Sequence, residues 1–313
     1  MMPWRCIDDA TVAAALPYRD LVAVIYRAFL DPVVVPQRLV AEVIEDGGHT
    51  RTLLTMVAVR PGGLAVTKLV TVLSGVGSDL QAHLVVHDTR GALIAVIAGH
   101  ELTARRTAAV SVLAAREMGA GGAQTLAVLG AGRQARALMA AYVECLPIST
   151  VRIWARRVEA VQAMVELARQ FSVDVVIAAS PAEAAAGADI VSCATASREP
   201  LIGAADVAPG AHVDLVGGFR SNMREADDAL IGRASVVADT AAALLEAGDL
   251  IQPIAAGALH AADVVLLAEL LESPGSFERL HDFTLFKSVG HAAEDLIAVE
   301  LLFERLGVSF DRT

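Results

Sequence analysis

The sequence predicts an α/β protein whose larger part is a doubly wound parallel sheet, and three observations carry this prediction. An apolar strand at 125–130 runs into Gly130-Ala-Gly132-Arg-Gln-Ala135 and then into a helical segment. Strands and helices alternate from there to residue 239, as expected of βα units around a parallel sheet. Before residue 105, strand-like runs instead follow one another directly, which indicates a second, separate domain.

The first domain is predicted to contain an antiparallel or mixed sheet. Turn signals such as Pro61-Gly62-Gly63 separate its strand-like runs, which cover residues 53–60, 64–73, 82–88 and 93–99. An alanine-rich helix at 105–118 is predicted to join the two domains, and a glycine-rich break follows at 119–122. The tail has the pattern of an amphipathic helix at 291–306, which we expect to pack back on the first domain.

The second domain is predicted to be a Rossmann-type sheet with helices between its strands, such as the helix at 159–171. The strands are predicted at 125–130, 150–155, 173–178, 188–194, 212–217 and 235–239. We therefore assign residues 119–290 to this domain, and residues 1–118 with 291–313 to a second α/β domain for substrate binding and dimerisation.

The glycine motif after the first of these strands predicts dinucleotide binding. Gly130 permits a tight turn, Gly132 lets the backbone approach a pyrophosphate, and Ala135 lets the helix pack on the strand. The helix N-terminus then binds the pyrophosphate. The alternative is an ordinary glycine-rich turn between a strand and a helix.

The end of the next strand favours NADP(H) over NAD(H), although NAD(H) stays possible. An acidic residue there would bind the ribose 2′-hydroxyl of NAD, but the sequence has Ala155 followed by Arg156 and Arg157. Guanidinium groups suit a 2′-phosphate. The alternative is that both arginines are solvated surface residues.

Composition excludes several other classes of protein. Although 55% of residues are hydrophobic and the mean hydropathy is +0.54, no apolar run approaches the ~20 residues that span a bilayer. A net charge of −11 argues against a nucleic-acid partner. The N-terminus lacks the apolar stretch of a signal peptide, so we expect a cytoplasmic protein. The cysteines Cys6, Cys145 and Cys193 have neither disulfide nor metal-site spacing, and we predict no metal.

Three cations are candidates for binding an anion. Lys68 lies within an apolar strand, so it either occupies an exposed sheet face or faces a cleft and binds an anion. Arg106 opens the helix predicted at 105–118, where a guanidinium beside a helix N-terminus is suited to a carboxylate or phosphate. Arg38 begins a strand and is unremarkable by itself.

Two further positions are open to a functional and a plain interpretation. Gly217 and Gly218 end the fifth strand, which implies either a close approach of the backbone to the cofactor or a sharp turn. His83 lies inside a strand, where it is a core or surface histidine or a proton donor near the nicotinamide.

Taken together, the motifs resemble the ornithine cyclodeaminase/mu-crystallin family over nearly the whole chain. They are Thr67-Lys68-Leu-Val-Thr71, Arg105-Arg106-Thr107-Ala-Ala-Val-Ser, Gly130-Ala-Gly-Arg-Gln-Ala135, Val216-Gly-Gly-Phe-Arg220 with Met223-Arg-Glu225, and Phe286-Lys287-Ser288-Val289-Gly290 with Glu294-Asp295. The resemblance implies a homodimer, with a cleft between a substrate-and-dimerisation domain and a Rossmann domain.

The resemblance also assigns roles to individual residues. Arg38, Lys68 and Arg106 match the positions that hold the substrate carboxylate, and Arg106 also lies beside the cofactor. Further positions match cofactor contacts: Arg133 and Gln134 at the pyrophosphate, Ala155 and Arg156 at the ribose, and Thr195, Val216, Gly217, Ser288 and Val289 elsewhere.

One departure from the family pattern decides the predicted reaction. In cyclodeaminases the residue after the Gly-Gly pair is an aspartate that acts as the acid/base, whereas this sequence has Phe219. A phenyl ring cannot shuttle protons, so a single hydride transfer to a preformed imine is the simplest remaining chemistry. An aromatic wall at Phe219 also suits a small apolar ring, and Phe219 with its downstream segments resembles the Δ1-pyrroline-2-carboxylate/Δ1-piperideine-2-carboxylate reductase branch.

The sequence therefore predicts an NAD(P)H-dependent reductase of cyclic α-imino acids. The imine nitrogen must also gain a proton, for which His83, Lys68 and a bound water are candidates. The alternatives are an ornithine or lysine cyclodeaminase, an alanine-type dehydrogenase or oxidative condensation enzyme, and a non-catalytic NADP-dependent ligand binder.

Overall fold

The computed structural model describes residues 4–44, 50–74, 80–275 and 277–310. It divides into two compact units: the first comprises Met1–Arg106 with His291–Thr313, and the second comprises Thr107–Gly290. The sequence placed the first division at 118, whereas the structure places it inside a helix at Arg106. The outermost parts of the predicted first domain, 1–3 and 311–313, lie outside the described residues.

The first unit contains a mixed six-stranded sheet in the order β1-β6-β5-β4-β3-β2. Neighbours from β2 to β6 are antiparallel, and β1 is parallel to β6. The four runs predicted from the sequence correspond to β3–β6. The strands are β1 (Arg5–Ile7), β2 (Leu39–Ile44), β3 (Thr50–Val59), β4 (Ala65–Ser74), β5 (Leu80–His87) and β6 (Leu93–Ala98).

Four helices precede the second unit or lead into it: α1 (Asp9–Ala15), α2 (Tyr18–Ile25), α3 (Arg27–Leu30) and α4 (Gly99–Ala115). The predicted start of the joining helix at 105 is wrong, because β6 ends at Ala98 and α4 begins at the next residue. A π-type turn extends α4 to Ala120, and Gly119 has a φ of +87° at the predicted glycine break.

The two faces of the first sheet differ in burial. Met56, Lys68 and Leu84 pair across adjacent strands and are all buried on one face. Residues that alternate with them point to the other face, where Leu53 is 42% exposed and Leu69 38% exposed. The sheet therefore has one covered face and one open apolar face.

The second unit contains an eight-stranded parallel sheet in the order β13-β12-β14-β11-β10-β7-β8-β9, which confirms the predicted doubly wound sheet. The predicted strands correspond to β7–β12, and the sequence missed β14, which lies between β11 and β12. The strands are β7 (Thr125–Leu129), β8 (Thr150–Trp154), β9 (Asp174–Ile177), β10 (Ile190–Cys193), β11 (His212–Leu215), β12 (Ala234–Ala238), β13 (Val265–Leu266) and β14 (Phe283–Lys287).

Helices cover this sheet and bury a core that includes Leu129, Val191, Leu215 and Leu285. They are α5 (Arg133–Cys145), α6 (Val158–Arg169), α7 (Pro181–Ala185), α8 (Asp228–Ile231), α9 (Ala243–Glu246), α10 (Gly248–Ala255) and α11 (Leu267–Glu272). None of the helices in the described part of the chain has both the length and the apolar character needed to cross a membrane.

The last helix, α12 (Ala292–Arg305), belongs to the first unit, where it packs on β3 and β4. This confirms the predicted helix at 291–306. Because the chain returns for this helix after completing the second unit, the first unit is built from two separate stretches of sequence. The acidic residues in the first turn of α12 thereby reach the covered face of the first sheet.

Candidate functional site

Lys68 lies at the centre of a buried charge cluster in the first unit. Its side chain is 2% exposed, and its Nζ is 2.7 Å from Oδ2 of Asp295 on α12. An exposed sheet face is therefore excluded for Lys68. The anion that it binds in this structure is a carboxylate of the chain itself.

Arg106 joins the same cluster from the interior of α4, so the prediction that it opens a helix is wrong. Its Nε donates to Oδ1 of Asp295 at 3.0 Å, and its Nη1 donates to Oε2 of Glu294 at 2.5 Å. The side chain of Arg106 is 5% exposed, and those of the two acids are 1% exposed or less. The cluster thus contains two cations and two carboxylates, which balance in charge.

The first turn of α12 supplies both carboxylates because it has its own use for acidic residues. Oε1 of Glu294 accepts a hydrogen bond from the backbone N–H of His291 at 3.0 Å, which caps the helix. Negative charge near a helix N-terminus is also favoured by the helix dipole. Glu294 therefore divides its two oxygens between the cap and Arg106.

The pKa values of the side chains in this cluster are shifted in different directions. Burial and the neighbouring charge of Arg106 lower the pKa of Lys68 to about 8, against the opposing effect of Asp295. Burial also disfavours the charged forms of Arg106 and Asp295, but their opposite charges outweigh it, so the pKa of Arg106 is raised and that of Asp295 is lowered. Lys68 is therefore the member that exchanges a proton near neutral pH.

The structure brings Arg38 towards this cluster but does not bring His83 there. Arg38 is half-buried and immediately precedes Leu39, which pairs with Thr55, so it lies level with Met56 beside Lys68. His83 is exposed and pairs with Leu69 on the open face of the sheet, whereas Lys68 points to the covered face. Proton transfer between His83 and an imine beside Lys68 has no support in this geometry.

The glycine motif of the second unit has the shape that a pyrophosphate requires. Gly130 has a φ of +121°, its N–H donates to the carbonyl of Trp154 at 2.8 Å, and a Cβ would lie 2.6 Å from the carbonyl oxygen of Ala194. Gly132 directly precedes α5, and no atom lies within 4 Å of the Cβ that a larger residue would carry. The turn therefore leaves open space at a helix N-terminus, which fits a dinucleotide.

The basic residues proposed to contact the cofactor flank that turn. Arg133 and Gln134 form the first turn of α5, with Arg133 exposed and Gln134 half-buried. Arg156 and Arg157 follow β8 and are exposed, while Ala155 is half-buried. The geometry is thus compatible with a bound 2′-phosphate and with solvated arginines.

The remaining residues matched to cofactor contacts lie at the carboxyl ends of the neighbouring parallel strands. Thr195 follows β10, Val216 and Gly217 follow β11, and Ser288 and Val289 follow β14. Because the strands are parallel, these ends share one edge of the sheet with Gly130. This is the edge at which open α/β sheets bind their ligands.

Buried carboxylates hold these loops in position by accepting hydrogen bonds from them. Oδ2 of Asp239 accepts hydrogen bonds from Ser288 Oγ at 3.1 Å and from the backbone N–H groups of Val289 and Gly290, both at 2.7 Å. Glu225 holds the loops after β10 and β11, and Asp249 holds the backbone of Glu225. We call Glu225 and Asp249 the carboxylate brace.

The brace gives a packing reason for the Gly-Gly pair. A Cβ on Gly217 would lie 2.4 Å from Oε1 of Glu225, and one on Gly218 would lie 2.2 Å from Oδ2 of Asp249. The space that side chains would need is therefore taken by protein carboxylates. These glycines are explained without an approach of the backbone to the cofactor.

Phe219 follows the pair and places no titratable group at this position. The side chain is 41% exposed, and its ring centroid lies 5.8 Å from the guanidinium carbon of Arg220. An acid/base at position 219 is therefore absent from this chain.

Five acids that organise these sites were not predicted from the sequence: Glu225, Asp239, Asp249, Glu294 and Asp295. A signal existed for one of them, since Lys287 ends the apolar run of β14 as Lys68 interrupts that of β4, and a buried ammonium requires a partner. The structure supplies that partner, with Nζ of Lys287 at 3.2 Å from Oδ2 of Asp249.

Comparison with known proteins gives a consistent picture. The model of the ornithine cyclodeaminase/mu-crystallin family matches residues 47–309. A Δ1-pyrroline-2-carboxylate reductase of Paracoccus denitrificans is 39% identical over 220 residues, covering 69% of this chain and 70% of that protein. The ketimine reductase mu-crystallin of Mus musculus is 36% identical over 246 residues, covering 76% of this chain and 75% of that protein.

Solved structures resemble the chain over its whole length. The Δ1-pyrroline-2-carboxylate reductase of Thermococcus litoralis, in complex with NADH and L-proline, superposes with a TM-score of 0.88 at 26% identity and 96% coverage of both chains. A probable ornithine cyclodeaminase from Bordetella pertussis superposes with a TM-score of 0.85 at 29% identity and 97% coverage of both chains.

Proposed function

This chain belongs to the ornithine cyclodeaminase/mu-crystallin family and is an imine-reducing oxidoreductase, and we propose that it reduces a cyclic ketimine. The substrate is Δ1-pyrroline-2-carboxylate, Δ1-piperideine-2-carboxylate or both, and the products are L-proline and L-pipecolate. The names of the reductases similar to this chain support that substrate class.

Phe219 is the observation that favours reduction over deamination. Oxidising an amino acid, closing a ring and expelling ammonia require repeated proton transfers at the reacting carbon. The phenyl ring of Phe219 cannot perform them, although the likeness to a probable cyclodeaminase shows that the scaffold accommodates such chemistry elsewhere in the family. Adding a hydride to a preformed imine requires only one proton.

The substrate carboxylate binds Arg38, Lys68 and Arg106 in this proposal. Among the described residues, the bonds of Arg106 to Glu294 and Asp295 use Nε and Nη1, which leaves Nη2 for a ligand. The cluster is already balanced in charge, so the incoming carboxylate adds one negative charge, and Arg38 is the further cation that we place beside it. Asp295 also neutralises the ammonium of Lys68 beside the bound imine.

Lys68 also holds the proton that the imine nitrogen gains. Its pKa of about 8 allows the ammonium to lose a proton near neutral pH. The proton moves from Nζ to the imine nitrogen as C2 gains the hydride, so the C=N bond becomes CH–NH and Lys68 becomes neutral. Asp295 fixes the position of Nζ during this step.

The second unit holds the cofactor, with NADP(H) preferred. When bound, the reduced nicotinamide supplies the hydride. The turn at Gly130 and Gly132 and the first turn of α5 hold the pyrophosphate, and Arg156 with Arg157 binds the 2′-phosphate. Thr195, Val216, Gly217, Ser288 and Val289 form the edge at which the rest of the cofactor lies.

The direct test measures loss of NADPH absorbance with each of the two cyclic imines, beside ammonia release from ornithine and lysine. We expect NADPH oxidation with at least one imine and no ammonia. Ammonia release without net cofactor turnover would instead establish a cyclodeaminase. Inactivity in every assay would favour an open-chain dehydrogenase or a ligand-binding protein.

The role of Lys68 predicts a fall in kcat above about pH 8, because raising the pH removes the proton that Lys68 donates. In Lys68→Met, we expect kcat to drop about a hundredfold or more and the fall above pH 8 to disappear. His83→Gln is the matched control and should retain the wild-type kcat and pH profile. A Lys68→Met enzyme with near-normal kcat would remove Lys68 from proton transfer.

The preference for NADP(H) predicts that Arg156→Ala weakens NADPH binding about tenfold, because a charge-assisted contact to phosphate is lost. The affinity for NADH should change by less than about twofold. Arg169→Ala removes an exposed positive charge from the same unit and serves as the control. Equal losses for both cofactors in Arg156→Ala would contradict a 2′-phosphate contact.

The open face of the first sheet supports a homodimer. Exposed apolar side chains recur across it on three adjacent strands: Leu39 (72% exposed) and Val43 (49%) on β2, Leu53 (42%) on β3, and Leu69 (38%) and Leu73 (41%) on β4. Monomeric proteins rarely expose a continuous apolar area of this kind. A second copy of the chain covers this face in our proposal.

A double substitution tests this interface. Leu53 and Leu69 are diagonal neighbours on adjacent strands, since Leu53 pairs with Thr71 and Leu69 with Thr55. Leu53→Glu with Leu69→Glu should convert the dimer to a monomer in light scattering, because four carboxylates would meet at the interface. Leu245→Glu changes an exposed leucine in the second unit and should leave the dimer intact. A monomeric wild-type protein would refute the proposal.

A further inference from the structure

One buried carboxylate joins the ends of two adjacent strands in the second unit. Glu225 is 0% exposed, and its Oε1 accepts hydrogen bonds from both the backbone N–H and the hydroxyl of Thr195 at 2.7 Å. Its Oε2 accepts from the backbone N–H of Gly217 at 2.8 Å. Thr195 follows β10 and Gly217 follows β11, so a single side chain sets the distance between the two loops.

The residues around Glu225 are arranged to keep it in place. Oδ1 of Asp249 accepts from the backbone N–H groups of Glu225 and Ala226 at 2.7 and 3.2 Å. The other oxygen of Asp249 binds the ammonium of Lys287 at 3.2 Å, with both side chains fully buried. Gly217 is required at its position because any side chain there would collide with Glu225. The carboxylate brace is thus held in place by hydrogen bonds, and the ammonium of Lys287 offsets one of its two negative charges.

The strand order identifies which half of the cofactor these loops serve. In a doubly wound sheet of this type, one half of the strands binds each mononucleotide, and the division lies where the strand order reverses. Here β7, β8 and β9 form one half and β10, β11 and β14 form the other, with the reversal between β7 and β10. The pyrophosphate turn and Arg156 belong to the first half, and both loops held by Glu225 belong to the second.

We propose that Glu225 is a positioning residue for the nicotinamide half of the cofactor. It acts by holding the loops after β10 and β11 at the spacing that the nicotinamide ring requires, and it does not act on the adenosine half. The proposal rests on the proposed function only in taking the ligand to be a nicotinamide dinucleotide. If Glu225 only stabilised the fold, replacing it would lower the affinity for all ligands equally or for none of them.

Glu225→Gln tests this distinction with two ligands that differ only in the nicotinamide. The substituted amide keeps the shape of the side chain, but its NH₂ group faces an N–H donor that the carboxylate accepted from. We expect calorimetry to show that NADPH binds about tenfold more weakly or worse, whereas 2′-phospho-ADP-ribose binds within about twofold of wild type. Equal weakening of the two ligands, or no weakening of either, would overturn the proposal.

The chain supplies a control carboxylate at the amino ends of the strands of the same sheet, Asp189, which is exposed whereas Glu225 is buried. Asp189 also bridges two backbone donors, accepting from the N–H groups of Gln124 and Thr125 at 2.9 and 2.8 Å, but it does so before β10 begins. Asp189→Asn should therefore leave both affinities unchanged. If it instead reproduced the selective loss for NADPH, that loss would reflect general loosening of the sheet and would overturn the proposal.

The wild-type protein gives a second measurement that does not depend on a variant folding. Burial, followed by the charge of Asp249, raises the pKa of Glu225 to about 7, and Lys287 opposes that shift. Protonating Glu225 turns one accepting oxygen into a donor, so the affinity for NADPH relative to 2′-phospho-ADP-ribose should fall between pH 8 and pH 6. The 2′-phosphate is common to both ligands and cancels in the ratio. A ratio that is independent of pH would refute the proposal.

These measurements distinguish a failure of the proposed function from a failure of the positioning role of Glu225. A protein that binds neither NADPH nor 2′-phospho-ADP-ribose would overturn the proposed function and this inference together. Binding of both ligands with no selective effect of Glu225→Gln would leave the reductase proposal intact and overturn only the positioning role.

Discussion

The buried ion pair between Lys68 and Asp295 joins two distant stretches of the chain within the first unit. A buried ammonium in the middle of a sheet is strongly unfavourable without a partner, and none of the described residues near Lys68 in sequence supplies one. The partner comes from α12, which the chain reaches only after building the whole second unit. Lys68 can therefore be buried at this position because the chain returns to the first unit and supplies α12.

The second unit also contains buried charged groups, and these are carboxylates. Asp214, Glu225 and Asp239 lie near the carboxyl ends of strands and accept hydrogen bonds from hydroxyl or backbone N–H groups of neighbouring elements. Their burial would be costly if those donors were absent. Because they are present, Glu225 and Asp239 hold the loops after β10, β11 and β14 with the same atoms whose buried charge those donors satisfy.

The sequence predicted the local elements well and the long-range partners poorly, for a physical reason. The spacing of apolar residues that predicts a strand or a helix involves only residues close together in sequence. β7–β12 and α12 could therefore be located from periodicity alone. The start of α4 was missed because β6 passes into it without a loop. β14 was missed although its apolar residues lie between two helices, α11 and α12. Lys68 was recognised as requiring an anion, but spacing cannot identify Asp295 as that anion.

The Gly-Gly pair shows how the fold and its chemistry can vary independently. Glu225 and Asp249 occupy the space beside Gly217 and Gly218, so the pair is required by packing whatever reaction the enzyme performs. The same contacts fix the backbone that leads into Phe219, which is 41% exposed. The packing of the Gly-Gly pair therefore does not depend on which side chain occupies position 219. In our proposal, this is the position at which one side chain changes the proton chemistry while the scaffold stays the same.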